Sequence, residues 1–213
     1  MNAIEMQHSF VSKALVLVGQ RALDIDTYKI QNFLNEAQVV FIDRYVDLLE
    51  KSEEAKVKLQ PMYKHYSTTA TAAGSDGFTS TSLFAVTPTD FRKAMSEYVA
   101  ESVGGTNIKI MPIAYDEYLI EKDNPFKQPS TDLAWRLVHY STGNKFELVI
   151  DSVTFAKVGQ TYTYKLRYIA MPATIDIFNN TSCTLNASDH YEIVNIALRL
   201  AFGGSGQTEP TNE

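Results

Sequence analysis

Residues 160–202 constrain the fold more than any other part of the chain. The text runs TYTYKLRYIAMPATIDIFNNTSCTLNASDHYEIVNIALRLAF after Gln160. It predicts a strand over 161–169, a break at Met171-Pro172, extended backbone over 173–178 and a closing helix over 188–202. Proline cannot donate to a ladder, so the strand must end there and turn. Asp189 and Glu192 have the spacing of a capping pair. Ile193, Ile196, Ala197, Leu200 and Ala201 supply a buried stripe that needs a surface to pack on. Gly203-Gly204 end the helix, and 203–213 is a polar tail.

The N-terminal part, 1–60, reads as helical. Val11, Ala14, Leu15 and Val18 repeat at helical spacing over 3–20. Asp26 is placed to cap a longer helix reaching Lys51, with Ile30, Phe33, Leu34, Ala37, Phe41, Tyr45 and Leu48 on one face. Residues 67–82 (STTATAAGSDGFTSTS) hold one charge and few apolar groups. Such a stretch buries too little area to offset its ordering entropy, and it predicts an extended loop or an arm that orders against a neighbour. Thr87-Pro88-Thr89-Asp90 reads as a helix start. Phe91, Met95, Tyr98 and Val99 extend a helix over 88–103 that stops at Gly104-Gly105.

Residues 106–180 read as β-rich. Ile108–Met111 alternates in polarity. A short helical piece over 115–122 leads into Asn124-Pro125-Phe126-Lys127-Gln128-Pro129, too rigid and donor-poor for a central strand. Strands follow over 134–140 and 146–150, joined by a hairpin turn at 141–144. The expected fold is α+β. It has a single domain over 1–202, with N-terminal helices and a C-terminal helix packed with a small antiparallel β-sheet.

Charge and residue type narrow the function. A formal net charge of -6 argues against binding nucleic acid through a basic stripe. The single cysteine, Cys183, excludes an internal disulfide or a multi-cysteine metal site. Cys183 with His190 could form a nucleophile–base pair, but no local motif activates the thiol, and a packed thiol is the plainer reading. His8, His65, His139 and His190 lack metal-ligand spacing. Asp116, Glu117, Glu121 and Asp123 could supply two carboxylates for hydrolysis. They read more simply as a solvated acidic face or an anionic interface toward a basic partner. Tyr162, Tyr164 and Tyr168 interleave with Lys165 and Arg167, the pattern of a strand that could stack bases or glycan rings. No catalytic, cofactor-binding or metal-ligating residue is assigned, and no cofactor is expected. No segment is long and apolar enough to span a membrane, so no membrane partner is expected. The lone cysteine suits a reducing cytoplasm during synthesis.

Three groups of residues, taken in order, carry a family resemblance. The first is Ile30-Gln31-Asn32-Phe33-Leu34-Asn35-Glu36-Ala37-Gln38, continuing to Phe41 and Arg44-Tyr45. The second is Asn124-Pro125-Phe126 with Pro129 and a strand after it. The third is Tyr168-Ile169-Ala170-Met171-Pro172 with Ile175, then Cys183, Leu185 and Tyr191–Ala197. Together they resemble the virion ring or adaptor proteins between portal and tail in crAss-like phages of Bacteroides. The chain departs from that pattern at Ala170-Met171-Pro172, where a basic residue is expected before the proline, and in residues 67–82. The resemblance implies a non-enzymatic head–tail connector subunit, made in the host cytoplasm and located in the virion at the head–tail junction or tail. About twelve copies would close into a ring by heterologous contacts. The portal protein and neighbouring tail rings would flank it, and genomic DNA would pass through the lumen as non-specific cargo. The alternative, from the residues alone, is a small binding module whose Tyr-rich strand takes a glycan or nucleic acid.

Overall fold

The structure is a computed structural model, and it describes residues 1–19, 25–72, 82–101, 107–139, 145–151 and 161–203. Its contacts divide into two units, Met1–Met62 with Met171–Glu213, and Tyr63–Ala170.

The first unit is helical. Helix α1 (Ala3–Val18) starts at a capping box in which Asn2 accepts from the Glu5 backbone and Glu5 accepts from Asn2. It ends at Gly19, whose φ of 65° is a conformation that a residue without Cβ adopts freely. Its buried face is Ala3, Met6, Phe10 and Ala14, while Val16 and Leu17 are exposed, so the stripe is rotated from the expected one. Helix α2 (Thr27–Leu48) buries Ile30, Leu34, Ala37, Phe41 and Tyr45 as expected, and adds Gln38, Ile42 and Val46. Asp26 stands at its N-cap without a side-chain bond. Helix α3 (Glu53–Lys58) is capped by Ser52.

The resumed segment after Met171-Pro172 joins no sheet. Side-chain amides of α2 take the place of a partner strand. Asn35 Oδ1 accepts from the Ile175 N–H at 2.7 Å while its Nδ2 donates to the Ile175 carbonyl at 3.0 Å. Gln38 donates to the Ala173 carbonyl and Gln31 accepts from the Ile177 N–H. These amides lie four and three residues apart, hence on one helical face. Beyond them the chain turns through a bridge between Asp176 and Thr181. The Asp176 carboxylate accepts from the Phe178 and Asn179 amides, and Asn180 takes φ 53°, which asparagine tolerates better than most residues.

The second unit is a closed seven-stranded barrel in the order β1-β2-β6-β5-β4-β3-β7. The strands are β1 (Tyr63–Ala72), β2 (Ser82–Val86), β3 (Phe91–Glu101), β4 (Asn107–Pro112), β5 (Leu133–His139), β6 (Lys145–Val149) and β7 (Tyr162–Ala170). Helix α4 (Tyr115–Glu121) lies in the β4–β5 connection, and β4 and β5 pair in parallel. This barrel corrects the expectation of a small antiparallel sheet packed with helices, although the chain is α+β.

Two strands account for the difference. The expected loop at 67–82 is strand in its described part up to Ala72, and Ser82 opens β2; the rest of it lies outside the described residues. In β1 the inward positions Thr68 and Ala70 stand opposite Tyr164 and Tyr162 of β7. The partner strand supplies the volume, so β1 can be small and polar. The expected helix over 88–103 is strand β3 from Phe91. The Pro88 carbonyl accepts from the Phe91 N–H in a tight turn. Register shifts between Phe91 and Lys93, and between Ala94 and Ser96, break the two-residue alternation. That leaves Phe91, Met95, Tyr98 and Val99 at helical spacing within an extended chain. The expected ends at Gln20 and Gly104-Gly105 and the turn at 141–144 lie outside the described residues, but β5 and β6 do pair antiparallel.

Closing helix α5 (His190–Phe202) buries His190, Ile193, Val194, Ala197 and Leu198, a stripe turned toward Val194 and Leu198 from the expected one. The Asp189–Glu192 capping pair does not form, because the Glu192 carboxylate is engaged by Lys58 and Tyr45. Replacing Asn35 with alanine orphans the Ile175 amide and carbonyl. We expect a loss of about 2–3 kcal/mol of stability, read as a lower denaturant midpoint at retained helicity, with Glu36→Ala on the exposed face close to neutral.

Candidate functional site

Strand β7 settles the fate of its interleaved tyrosines. Tyr162, Tyr164 and Tyr168 are 4%, 0% and 4% exposed, and they point into the barrel. Alternation sends Lys165 and Arg167 outward. The tyrosines are therefore closed to a base or a sugar ring, and the interleaving records the inside and outside of a barrel wall.

The barrel interior holds a buried ion pair. Register places Glu97 of β3 opposite Leu166, and Arg136 of β5 opposite Pro112 and Leu148, all inward. Arg136 Nε lies 2.9 Å from Glu97 Oε2, and the Tyr164 hydroxyl donates to the same oxygen at 2.7 Å. The guanidinium also stands 4.5 Å from the centroid of the Phe146 ring. Burial pushes the Glu97 carboxyl upward, and the nearby arginine and tyrosine only partly offset it. Burial beside the Glu97 charge likewise raises Tyr164. A cavity of about 550 Å³ adjoins the pair, lined by Phe91–Glu97 of β3 and by Lys109, Ile110 and Pro112 of β4. It opens where β3 and β4 stop pairing below Tyr98 and Lys109. Sequence reading missed this cluster, because Glu97 and Arg136 are joined only by barrel closure.

At one barrel end Asp90 accepts from Tyr168 at 2.8 Å and pairs with Lys64 at 2.6 Å. Burial works to raise Asp90, but the hydrogen bonds from Lys64 and Tyr168 outweigh it and hold it below its ordinary range. Tyr168 is pushed up to about 12 by burial and by Asp90.

In the helical unit, Cys183 is buried, and burial lifts its thiol to about 11, far from an activated nucleophile. Cys183 Sγ accepts from the Leu185 N–H at 3.4 Å. His190 Nε2 is 3.0 Å from the Leu185 carbonyl, so that nitrogen carries the proton, and Nδ1 is buried without a partner among the described residues. Each group is engaged by Leu185 backbone. His8 and His65 lie on α1 and β1, and the His139 side chain lies outside the described residues. Among the described residues no cluster of histidine, cysteine and carboxylate could hold a metal ion.

Lys58 joins three helices of this unit. Its Nζ donates to Tyr45 Oη at 2.7 Å and to Glu192 Oε2 at 2.9 Å, and lies 4.5 Å from the centroid of the Tyr45 ring. Burial acts against the charge, yet the bonds to Tyr45 and Glu192 hold the ammonium above its ordinary value.

The carboxylates at 116–123 sit on α4 and the turn after it. Glu121 pairs with Lys127 at 2.5 Å and accepts from Asn124 at 3.0 Å, and its acidity is raised by the lysine bond. A general acid needs the opposite shift. Glu117 and Glu121 border a hollow of about 380 Å³ with Met111, Ile113, Leu133 and Trp135.

The profile of the family described as phage tail ring protein 3/4 matches residues 8–213. Two curated proteins of Bacteroides phage crAss001 are similar. Ring protein 4/5 is 32% identical over 131 residues, covering 54% of this chain and 52% of that protein. This chain thus spans about half the length of that relative. Ring protein 3 is 25% identical over 206 residues, covering 84% of this chain and 86% of the relative.

Two outcomes follow from the buried polar groups. Glu97→Leu alone strands a buried guanidinium and should cost about 3–5 kcal/mol, whereas Glu97→Leu with Arg136→Met should recover most of it, as denaturant titration of single and double variants will show. The depressed Asp90 adds stability above the unfolded carboxylate value of about 4, and this is lost as pH falls through the folded value. Asp90→Asn should therefore flatten the acid limb of a thermal-melting profile.

Proposed function

We propose, because the chain belongs to the phage tail ring protein 3/4 family, that it is a structural subunit of a homo-oligomeric ring joining portal and tail in a tailed phage. The observation that carries this reading is the match of one ring-protein family over nearly the whole chain, together with two ring proteins among its relatives. It is a phage ring protein and a virion component; its place between portal and tail, its flanking rings and DNA in the lumen are the finer part of the proposal.

The physical chemistry supports an assembly role. A closed barrel has no strand edge to lend, so partners must meet its faces. Ring closure needs heterologous contacts, in which two different patches of one copy meet the next. A net charge of -6 suits a subunit whose lumen must pass DNA without gripping it, since phosphates are repelled. Among the described residues no helix is long and apolar enough to cross a membrane.

Symmetry-averaged electron microscopy of purified virions tests the reading. The expected result is a ring at the head–tail junction whose repeating density fits the seven-stranded barrel. Its absence there, in virions that contain the chain by mass spectrometry, overturns the placement.

A further inference from the structure

Two faces of the barrel unit differ sharply in charge. Residues directly opposite one another in a sheet share a face. Tyr164 is inside with its partners Thr68 and Val99, so the alternate rows are outside. One outer row is Ser67, Lys165 and Tyr98, and the next is His65, Arg167 and Ser96; the row after them is covered, since Ile169 is fully buried. The two open rows present Lys165 and Arg167 and hold no carboxylate. Arg167 and His65 are exposed. The Arg167 guanidinium stands 5.3 Å from the Tyr63 ring centroid, and Lys165 Nζ 5.5 Å from that of Tyr98, so aromatic rings brace both cations.

The other face is α4 and the turn after it. Helix α4 packs through Tyr118 on Trp135 and Leu137 of β5 and on Val149 of β6. Its outer side shows Asp116, Glu117 and Asp123, all exposed, against two exposed lysines, Lys122 and Lys127, of which Lys127 is taken up by Glu121, so carboxylates stay in excess. It also carries Ile120 at 76% and Phe126 at 96% exposure. Phe126 is held out by a built turn. Asn124 Oδ1 accepts from the Phe126 N–H at 3.1 Å, the Asn124 carbonyl accepts from the Lys127 and Gln128 amides, and Gln128 Nε2 donates to the Lys122 carbonyl. Beside it lies the 380 Å³ hollow, lined in part by Trp135, whose buried Nε1 has no acceptor among the described residues.

Barrel order relates the two faces. Counting around the seven strands, β7 lies three steps from β5 through β4 and β3, and three from β6 through β1 and β2. The acidic face over β5 and β6 is thus half a circumference from the basic face centred on β7. Complementary patches on opposite sides of one subunit are what head-to-tail association requires.

We infer that this chain docks on its own copies through the barrel unit, the acidic, Phe126-tipped face of one copy seating on the Lys165–Arg167 face of the next. The inference rests on the ring reading and names the surfaces that close the ring. A second copy fits better than nucleic acid. The matching carboxylates and exposed apolar groups lie on the same unit, and phosphate would leave both unused.

The test is sedimentation velocity of the full-length chain over a wide concentration range at low and high salt, with thermal melts to confirm folding. The wild type should self-associate more weakly as salt rises. Lys165→Glu with Arg167→Glu, and separately Glu117→Lys with Asp123→Lys, should each weaken self-association at least about tenfold. Mixing these two variants should restore association, because all faces of one are then acidic and all faces of the other basic. Phe126→Ser should weaken it without changing the melt. Unchanged association in both charge variants would overturn these surfaces while leaving the ring reading to the virion images. A wild type that stays monomeric at all concentrations also overturns self-docking here. Salt-sensitive binding of a DNA oligonucleotide, lost in Lys165→Glu with Arg167→Glu while assembly persists, would reassign the basic face to nucleic acid.

Discussion

Seven strands cannot close into a barrel through antiparallel pairs alone, because strand direction would have to alternate around an odd ring. One parallel pair is obligatory, and here it is β4 with β5. A parallel pair needs a long crossover rather than a hairpin. Residues 113–132 provide it, carrying α4 and the Asn124–Pro129 turn across the outer wall. The crossover is therefore both the device that permits closure and the element that gives one barrel face its charge and its exposed phenylalanine. The chain also enters and leaves the barrel on neighbouring strands, since Tyr63 pairs with Ile169. That proximity lets the barrel stand as an insertion between Met62 and Met171.

The helical unit solves a different problem. Its extended segment at 173–177 must satisfy backbone groups without a strand beside it. Gln31, Asn35 and Gln38 do so from one face of α2. Lys58 then links α3 to Tyr45 of α2 and Glu192 of α5. Polar side chains thus join elements that apolar packing alone would leave free to slide.

For a phage ring protein, this architecture divides labour. Inward positions of the barrel are committed to tyrosines and a buried ion pair, which favour one strand register over its neighbours. Outward positions either pack under α4, as Trp135 and Leu137 do, or stay exposed, as His65 and Arg167 do. The absence of a free sheet edge in the closed barrel prevents unlimited strand addition and leaves side-chain faces as its contact surface.

Much of this was legible from residue order. Helical spacing marked α1, α2 and α5 within a few residues of their ends, alternation marked β4, and short runs between turn and break residues marked β5 to β7. A lone cysteine read as a packed thiol is buried, as its apolar setting implied. What the sequence could not yield was β1 and β3. Thr68 and Ala70 carry no apolar pattern because Tyr164 and Tyr162 fill the space opposite them, and bulges in β3 disguise a strand as a helix. Nor could it join Glu97 to Arg136, or set Lys165 and Arg167 half a turn from Asp116 and Glu117. By itself, then, the sequence determined which segments are amphipathic and with what period, since that depends on neighbours a few residues away. Only the tertiary structure decided that the strands close on themselves, because closure depends on partners distant in the chain whose volumes and charges are complementary only once paired.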